Sequence, residues 1–176
     1  VAILGRIPGT RRFSDLLRHP DNEATPGMIL LRPEASLVYF NIDHVRDTAM
    51  AAVHAAAPRP RLVLIDLSAS PHIDLQAVET LAMLHRELAA LEIQLQFVEA
   101  HGSARDTLRR EGLAEKTGTI SRFTSVAGAV DALPRGSWRG EHRRLGVVGP
   151  ARLAAGQVQR THLAVGGREH REAIGD

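Results

Sequence analysis

The sequence predicts an α/β fold in which a mainly parallel open sheet is packed against helices. Short apolar runs at residues 28–32, 61–66 and 93–98 are typical of strands. Segments at about 42–56 and 75–91 repeat their apolar residues with the period of a helix. Because strands that alternate with helices need crossover connections, we expect them to pair mostly in parallel.

The first part of the chain begins with an irregular segment. Residues 1–27 are rich in turn formers and charged residues, and they predict an extended lead-in before the fold. "MILLR" (Met28–Arg32) and "LVYF" (Leu37–Phe40) predict two strands that flank the turn "PEAS". Asn41 is predicted to cap the helix at about 42–56. The predicted core face of this helix consists of Ile42, Val45, Ala49, Val53 and Ala56.

The central part of the chain carries clearer signals. "RLVLID" (Arg61–Asp66) is a continuous β-rich run, as expected for a strand buried on both faces. From Leu75 to Leu91 the apolar residues recur at helical spacing, which predicts an amphipathic helix. "IQLQFV" (Ile93–Val98) predicts the strand that follows it. The predicted core face of the helix consists of Ala77, Leu81, Leu84, Leu88 and Leu91.

Weaker signals define the end of the fold. Ser103 and Asp106 resemble a capping box, which predicts a helix that ends near Gly112. "TISRF" (119–123) predicts a further strand, and Ser125 is predicted to cap a last short helix. After Pro134 no apolar period is sustained, so a basic and disordered tail is expected at 135–176.

Composition narrows the possible classes of protein. A chain of 176 residues suffices for one domain and a tail. It has no cysteine, which excludes disulfides and thiolate metal sites. No apolar run is long enough to cross a bilayer, so this piece is expected to be soluble by itself. Val1 stands where a Met is usual and no signal segment follows, which suggests the downstream part of a longer protein.

The charge is unevenly distributed along the chain. Residues 135–176 hold eight Arg and four acidic residues, a net charge of +4, whereas the whole chain has a net charge of +2. The basic character is therefore largely a property of the tail. Aromatic residues make up 3% of the chain, too few for the stacking platforms of a single-strand binder. We therefore predict no nucleic-acid partner.

The stretch "IDLSASPHIDLQAVETL" (65–81) contains every residue type of a Ser/His/Asp hydrolase. A nucleophilic serine, however, needs a base within hydrogen-bond reach, and no nucleophile-elbow pattern surrounds Ser68 or Ser70. Turn chemistry explains the stretch better. Asp66 would end a strand, the two serines would bond the loop backbone, and Asp74 would cap the next helix.

Metal binding and phosphate binding have even less support in the sequence than the hydrolase hypothesis. The histidines are scattered singly, and none has a second histidine four residues along a helix; they include His19, His44, His54, His72, His85 and His101. The sole lysine, Lys116, has no phosphate-binding loop before it. We therefore predict no catalytic residue, no metal site and no cofactor.

Several segments resemble a known family. "LGRIPGTRRFSDLLRHPDNEATPGMILLRPEASLVYFNIDHVRD" resembles the junction between the membrane portion and the cytoplasmic domain of sulfate-permease (SulP) anion transporters. "RPEASLVYFN" is similar to the first hairpin of their STAS domain, and "LVLIDLSASPHIDLQAVETLAMLHREL" to its central strand, loop and helix. "EGLAEKTG" resembles the stretch before the last strand. The resemblance covers residues 4–133, and it implies the STAS (anti-sigma-factor-antagonist-like) fold.

The resemblance also gives a function to the loop. In anti-sigma-factor antagonists of this fold, an Asp-Ser pair opens the helix after the central strand, and a partner kinase phosphorylates the Ser. Asp74 matches the Asp, but Leu75 stands where the Ser would be and has no hydroxyl. The resemblance therefore implies an interaction loop without the phosphorylation switch. This interaction loop consists of Asp66, Ser68, Ser70, His72, Asp74 and Leu75.

The resemblance implies a regulatory module rather than an enzyme. Residues 1–27 would be the lead-in from a missing membrane domain, 28–134 the STAS domain and 135–176 the tail. The expected partners are the transmembrane domain of the same transporter, a cytosolic protein, and a second copy in a homodimer. The expected location is the cytoplasmic face of the plasma membrane. The alternatives are a free-standing antagonist-like binding protein and, third, a hydrolase built on the Ser/His/Asp stretch.

Overall fold

The computed structural model describes residues 1–118, 120–121 and 124–132. The strands within these residues are β1 (Ala2–Arg6), β2 (Phe13–Asp15), β3 (Met28–Arg32), β4 (Leu62–Asp66) and β5 (Gln94–Val98). The helices are α1 (Ile42–Ala55), α2 (Leu75–Ala90), α3 (Gly102–Arg110), α4 (Leu113–Lys116) and α5 (Val126–Ala132). The strands form one sheet in the order β2-β1-β3-β4-β5.

The sheet is mixed. β3, β4 and β5 are parallel, and Ile65 of β4 lies opposite Leu31 of β3 and Phe97 of β5. β1 runs antiparallel to both β2 and β3. The predicted α/β class is confirmed, and the parallel part of the sheet consists of the three strands that the apolar runs predicted. The antiparallel part comes from the lead-in.

The core has two layers because the side chains of the strands alternate between the two faces of the sheet. One face is covered by α1 and α2, whose Val45, Leu84 and Leu88 lie in one cluster with Ile65. The other face is covered by α5, whose Val126 and Val130 pack with side chains from β1, β3 and β4. All five residues of β4 are buried, which confirms the prediction of a strand buried on both faces.

The two long helices agree with their periodicity. α1 buries four of the five predicted core residues, and α2 also buries four. The buried residues of these two sets are Ile42, Val45, Ala49, Val53, Ala77, Leu81, Leu84 and Leu88. The fifth residue of each set, Ala56 and Leu91, lies just beyond the end of its helix and is partly buried against the same cluster.

The segment "LVYF" does not form the predicted strand. Leu37 makes one isolated parallel bridge with Ile73, and the chain then turns at residues 39–41. Asn41 was predicted to cap α1, but its side chain makes no hydrogen bond to the helix. Its Oδ1 accepts from the Val38 amide at 3.0 Å, and its Nδ2 donates to the Ser36 carbonyl at 2.9 Å. These bonds close the loop before α1. The strand prediction was therefore wrong, whereas Asn41 holds the predicted N-cap position without a side-chain bond to the helix.

The lead-in also departs from the prediction. Residues 1–27 contain β1 and β2, and the side chains of Ala2 and Leu4 are buried in the second core layer. The prediction that this segment is an extended, irregular lead-in was therefore wrong. The strand β1 was not predicted because it is short and contains a glycine, which weakens the local strand pattern. It forms a strand because it pairs with β3. The division of the chain at residues 28 and 134 stays a prediction.

The last elements follow the prediction in part. Ser125 does cap the last helix, since its Oγ accepts from the Gly128 amide at 3.0 Å. The capping box was wrong, because Ser103 donates its hydroxyl to the Pro71 carbonyl and no side chain caps α3. The strand predicted at 119–123 falls partly outside the described residues, and the tail at 135–176 lies wholly outside them.

Candidate functional site

The candidate site lies at one edge of the sheet. The carboxyl ends of parallel strands meet at the same edge, and binding residues in open α/β sheets gather there. At this edge the interaction loop follows β4, the β3–α1 loop (residues 33–41) follows β3, and α3 begins after β5. The three connections are close enough to bond one another, and their polar contacts define the geometry of the site.

Asp66 fixes the start of the interaction loop. Its side chain is buried at the end of β4, and its Oδ1 accepts from the Ser68 amide at 2.9 Å. The amide of Leu67 donates to the Val98 carbonyl at 2.9 Å, which extends the β4–β5 pairing by one bond. The buried carboxylate therefore serves the turn that leads out of the strand, as the sequence predicted.

The two serines have different surroundings. Ser70 is fully buried, and its Oγ donates to the Ala35 carbonyl of the β3–α1 loop at 2.8 Å. Ser68 is exposed, and its carbonyl lies 2.8 Å from Nε2 of His101 before α3. Because a carbonyl oxygen only accepts, Nε2 of this histidine carries the proton in that contact. Ser70 thus connects the interaction loop to the β3–α1 loop, and Ser68 connects it to the residue that precedes α3.

A short parallel bridge joins the same two loops. The Leu37 amide donates to the His72 carbonyl at 2.9 Å, and the Asp74 amide donates to the Leu37 carbonyl at 3.0 Å. The intervening Ile73 is buried, whereas the imidazole side of His72 faces solvent. The backbone of the interaction loop is therefore held on both sides of His72, which is itself exposed.

Asp74 uses both carboxylate oxygens. Oδ1 accepts from the Ala77 amide at 2.8 Å, which caps α2 and confirms the predicted cap. Oδ2 accepts from the Tyr39 amide at 2.9 Å, which holds the tip of the β3–α1 loop against the helix. Leu75, the first residue of α2, is 57% exposed. The position where the resembling antagonists carry Ser thus presents an apolar side chain to solvent.

The hydrogen bonds do not match those of a hydrolase. The hydroxyl proton of Ser70 is directed at a backbone carbonyl, and the carboxylates of Asp66 and Asp74 accept from backbone amides. A nucleophile would instead need its hydroxyl on a histidine that a carboxylate orients. Within residues 1–118, 120–121 and 124–132, no three His, Cys, Asp or Glu side chains are grouped so that they could hold a metal.

An ion pair joins the two long helices. Arg46 of α1 donates from Nε to Glu87 of α2 at 3.1 Å, and a second guanidinium nitrogen bonds the other carboxylate oxygen at 2.5 Å. The hydrogen bond to Glu87 raises the pKa of Arg46, and the charge of the same carboxylate adds to this. The pair joins α1 to the last turn of α2.

Sequence reasoning missed several residues of the site. The Ala35 carbonyl and the Tyr39 amide act through the backbone, and a sequence gives no signal for such contacts. Tyr39 and Phe40 were assigned to a strand, yet they are 70% and 74% exposed. The available signal was their position next to Asn41, a residue that favours turns.

Known proteins resemble this chain over most of its length. A family model for the STAS domain matches residues 19–129. The chain is 27% identical over 139 residues to "Sulfate transporter 4.1, chloroplastic" of Arabidopsis thaliana, a match that covers 74% of the chain and 20% of that protein. The chain thus spans about a fifth of the length of this curated relative.

Two solved structures share the fold. The murine Solute Carrier 26 family member A9 anion transporter superposes with a TM-score of 0.63 at 14% identity, covering 74% of this chain and 21% of that one. The STAS domain of a SulP transporter from Vibrio cholerae gives a TM-score of 0.50 at 14% identity, covering 65% and 88%. At these identities the likeness shows the fold alone.

Among the described residues, no helix combines the length and the apolar character that crossing a bilayer requires. The predicted resemblance to SulP transporters is confirmed by the transporter relatives, and the predicted fold by the solved STAS structures. The match over residues 19–129 shows that this chain belongs to the STAS domain family.

Proposed function

We propose that this chain is the regulatory STAS domain of a SulP-type anion transporter and that it lies on the cytoplasmic face of the membrane. The observation that carries the proposal is the family match together with relatives named as sulfate transporters. The transported anion would be sulfate or a similar anion such as bicarbonate or a dicarboxylate. The domain itself would bind and regulate, without catalysing a reaction.

The interaction loop is proposed to contact the membrane portion of the transporter. Ala2 lies opposite Arg32 at the end of β3, so the chain enters the domain at the sheet edge that carries this loop. Any segment that precedes Val1 would therefore start beside the candidate site. This placement supports an arrangement in which the candidate site faces the membrane portion and couples its movements to the sheet.

A free-standing antagonist-like binding protein is the alternative. Such a protein would be switched by phosphorylation at the start of α2, where Leu75 offers no oxygen. Ser70 cannot replace the missing hydroxyl without unfolding the loop, because its side chain is fully buried and bonded to Ala35. These two observations favour the transporter proposal over the antagonist.

Anion uptake by the complete gene product that contains this chain tests the proposal. We expect cells or proteoliposomes with this protein to accumulate labelled sulfate, bicarbonate or a dicarboxylate. Leu75→Arg should lower uptake at unchanged abundance in the membrane, because it places a charge on the proposed contact surface. The matched control is Ala90→Arg, since Ala90 is exposed at the last residue of α2, at the opposite end of the helix from Leu75. Equal effects of the two variants would contradict docking through this loop, and no uptake of any of these anions would contradict the transporter proposal.

The proposal includes a homodimer in the complete transporter and a further cytosolic protein partner. The mass of the purified complete protein in detergent, measured by light scattering, should correspond to two copies. A monomer at working concentrations would contradict the dimer.

Affinity capture with the native chain and with Leu75→Arg should yield a protein that only the native chain retains, and identical capture by both would contradict a partner at this loop.

A further inference from the structure

The solvent-facing side of α2 combines apolar side chains with two opposite charges. Met83 is 42% exposed in the middle of the helix, and Ala82 beside it is partly exposed. Glu79 and Arg86 are the exposed charged residues of α2, one on each side of this apolar pair. Because residues three and four apart on a helix are neighbours on one face, these four side chains form one surface. The central strip of α2 is defined here as Glu79, Ala82, Met83 and Arg86.

The two charges of the central strip have no partner within their own copy of the domain. Glu79 and Arg86 are seven residues apart, about 10 Å along the helix axis. Three and four residues away from each of them, the helix carries no side chain of opposite charge. The arginine of the neighbouring helix α1, Arg46, is already bound to Glu87 and Asp47. Among the residues described, neither charge of the strip takes part in an ion pair, so both are available to a partner from outside.

The strip is complementary to itself. The midpoint between Glu79 and Arg86 falls between Ala82 and Met83. A second copy of α2 that runs antiparallel through this midpoint places each Glu79 opposite Arg86 of the other copy. A parallel alignment would place like charges together, so the charges select the antiparallel one. We propose that two copies of the chain associate through their central strips, antiparallel and two-fold symmetric, with Met83 of each copy against the apolar pair of the other.

The contact is confined to the middle turns of α2, because packed helices cross at an angle and diverge from the crossing point. Leu75 and Ala90 lie equally far from that point, about 11 Å along the axis, and the two-fold symmetry makes them opposite each other. Substitutions at these two positions therefore affect the contact alike. The difference in uptake between Leu75→Arg and Ala90→Arg consequently does not depend on the contact.

The central strip is small, so the association of separate chains is expected to be weak. Two copies held in one transporter would meet at an effective concentration on the order of millimolar, which is enough for a weak contact to form. This inference rests on the homodimer included in the proposed function, to which it gives a surface and an orientation. It is tested on the present chain. Failed cross-linking would overturn the contact alone, whereas failed uptake would overturn the transporter proposal and leave the contact standing.

Disulfide cross-linking tests the geometry, because the native chain has no cysteine. A disulfide requires Cα atoms within about 7 Å, and Met83→Cys lies beside the proposed two-fold axis. Mild oxidation of this variant at about millimolar concentration should therefore yield a linked dimer. Glu79→Cys and Arg86→Cys should each stay unlinked when oxidised alone, since equivalent positions of the two copies are offset by about 10 Å along the axis. An equimolar mixture of the two should give the mixed dimer, identified by its mass.

The matched control for cross-linking is Arg110→Cys, an exposed arginine position at the last residue of α3. It should link neither to itself nor to Glu79→Cys. Met83→Cys that links no better than Arg110→Cys would overturn the proposal. Glu79→Cys that links by itself as well as it links in the mixture would contradict the antiparallel register and overturn the proposal too.

Charge exchange tests the electrostatic complementarity. Glu79→Arg places arginines opposite each other at both ends of the contact, and Arg86→Glu places glutamates there. In sedimentation equilibrium, each single variant should raise the dissociation constant of the dimer by about tenfold. The double variant Glu79→Arg/Arg86→Glu restores opposite charges across the axis and should return the constant close to its native value. A double variant that associates no better than the single variants, with native circular dichroism in all three, would overturn the proposal.

Discussion

Replacing Asp74 by alanine removes two hydrogen bonds that start from one carboxylate. The first, from the Ala77 amide to Oδ1 at 2.8 Å, caps α2, and losing such a cap costs about 0.5–2 kcal/mol. The second, from the Tyr39 amide to Oδ2 at 2.9 Å, lies on an exposed loop where water can replace it. We therefore expect Asp74→Ala to lower the free energy of unfolding by about 0.5–2 kcal/mol, nearly all of it from the cap.

Asp74→Asn separates the two contributions. Asparagine caps a helix as well as aspartate does, so the amide oxygen can keep the bond to Ala77. The amide nitrogen cannot accept from the Tyr39 amide, so this second bond is lost. Urea denaturation should give Asp74→Asn a stability close to that of the native chain. Hydrogen exchange should show a faster Tyr39 amide in both variants. Equal losses of stability in the two variants, or none in either, would refute this assignment of the energy to the cap.

Three further substitutions test the packing around the site. Leu84→Ala removes a fully buried side chain of α2 and should cost about 2–5 kcal/mol in a denaturant melt, and a loss near zero would place this helix face in solvent. Ser70→Ala leaves a carbonyl of the neighbouring loop without its partner and should cost about 1–3 kcal/mol, whereas the exposed Ser68→Ala should cost nothing measurable. Gly5→Ala would bring a methyl group within 2.5 Å of a Leu16 side-chain carbon, and we expect a loss of about 1–3 kcal/mol. Native melting of Gly5→Ala would show that the hairpin at the start of the chain shifts freely.

Much of the loop between β4 and α2 could be predicted from local chemistry. The sequence predicted that Asp66 ends a buried strand and that Asp74 caps the following helix, because each aspartate adjoins an apolar run. The structure has both features. Ser70 was expected to bond the loop backbone, and it does bond a backbone carbonyl. That carbonyl belongs to Ala35, however, which is 35 residues earlier in the chain. Nothing in the local sequence could identify it.

The sequence by itself determined the elements whose stability is encoded within a few turns or within one strand. The continuous apolar run of β4 is buried as a strand covered on both faces, and the apolar stripe of α2 is buried as one face of a helix. The predicted and the observed elements therefore agree. The tertiary structure alone decided where irregular segments go. β1 became a strand because β3 offered it a partner, and the segment after Pro33 became a loop because Asn41 and Asp74 satisfy its backbone. Hydrogen bonds between distant segments depend on which chains the fold brings together, and a local sequence pattern does not contain that information.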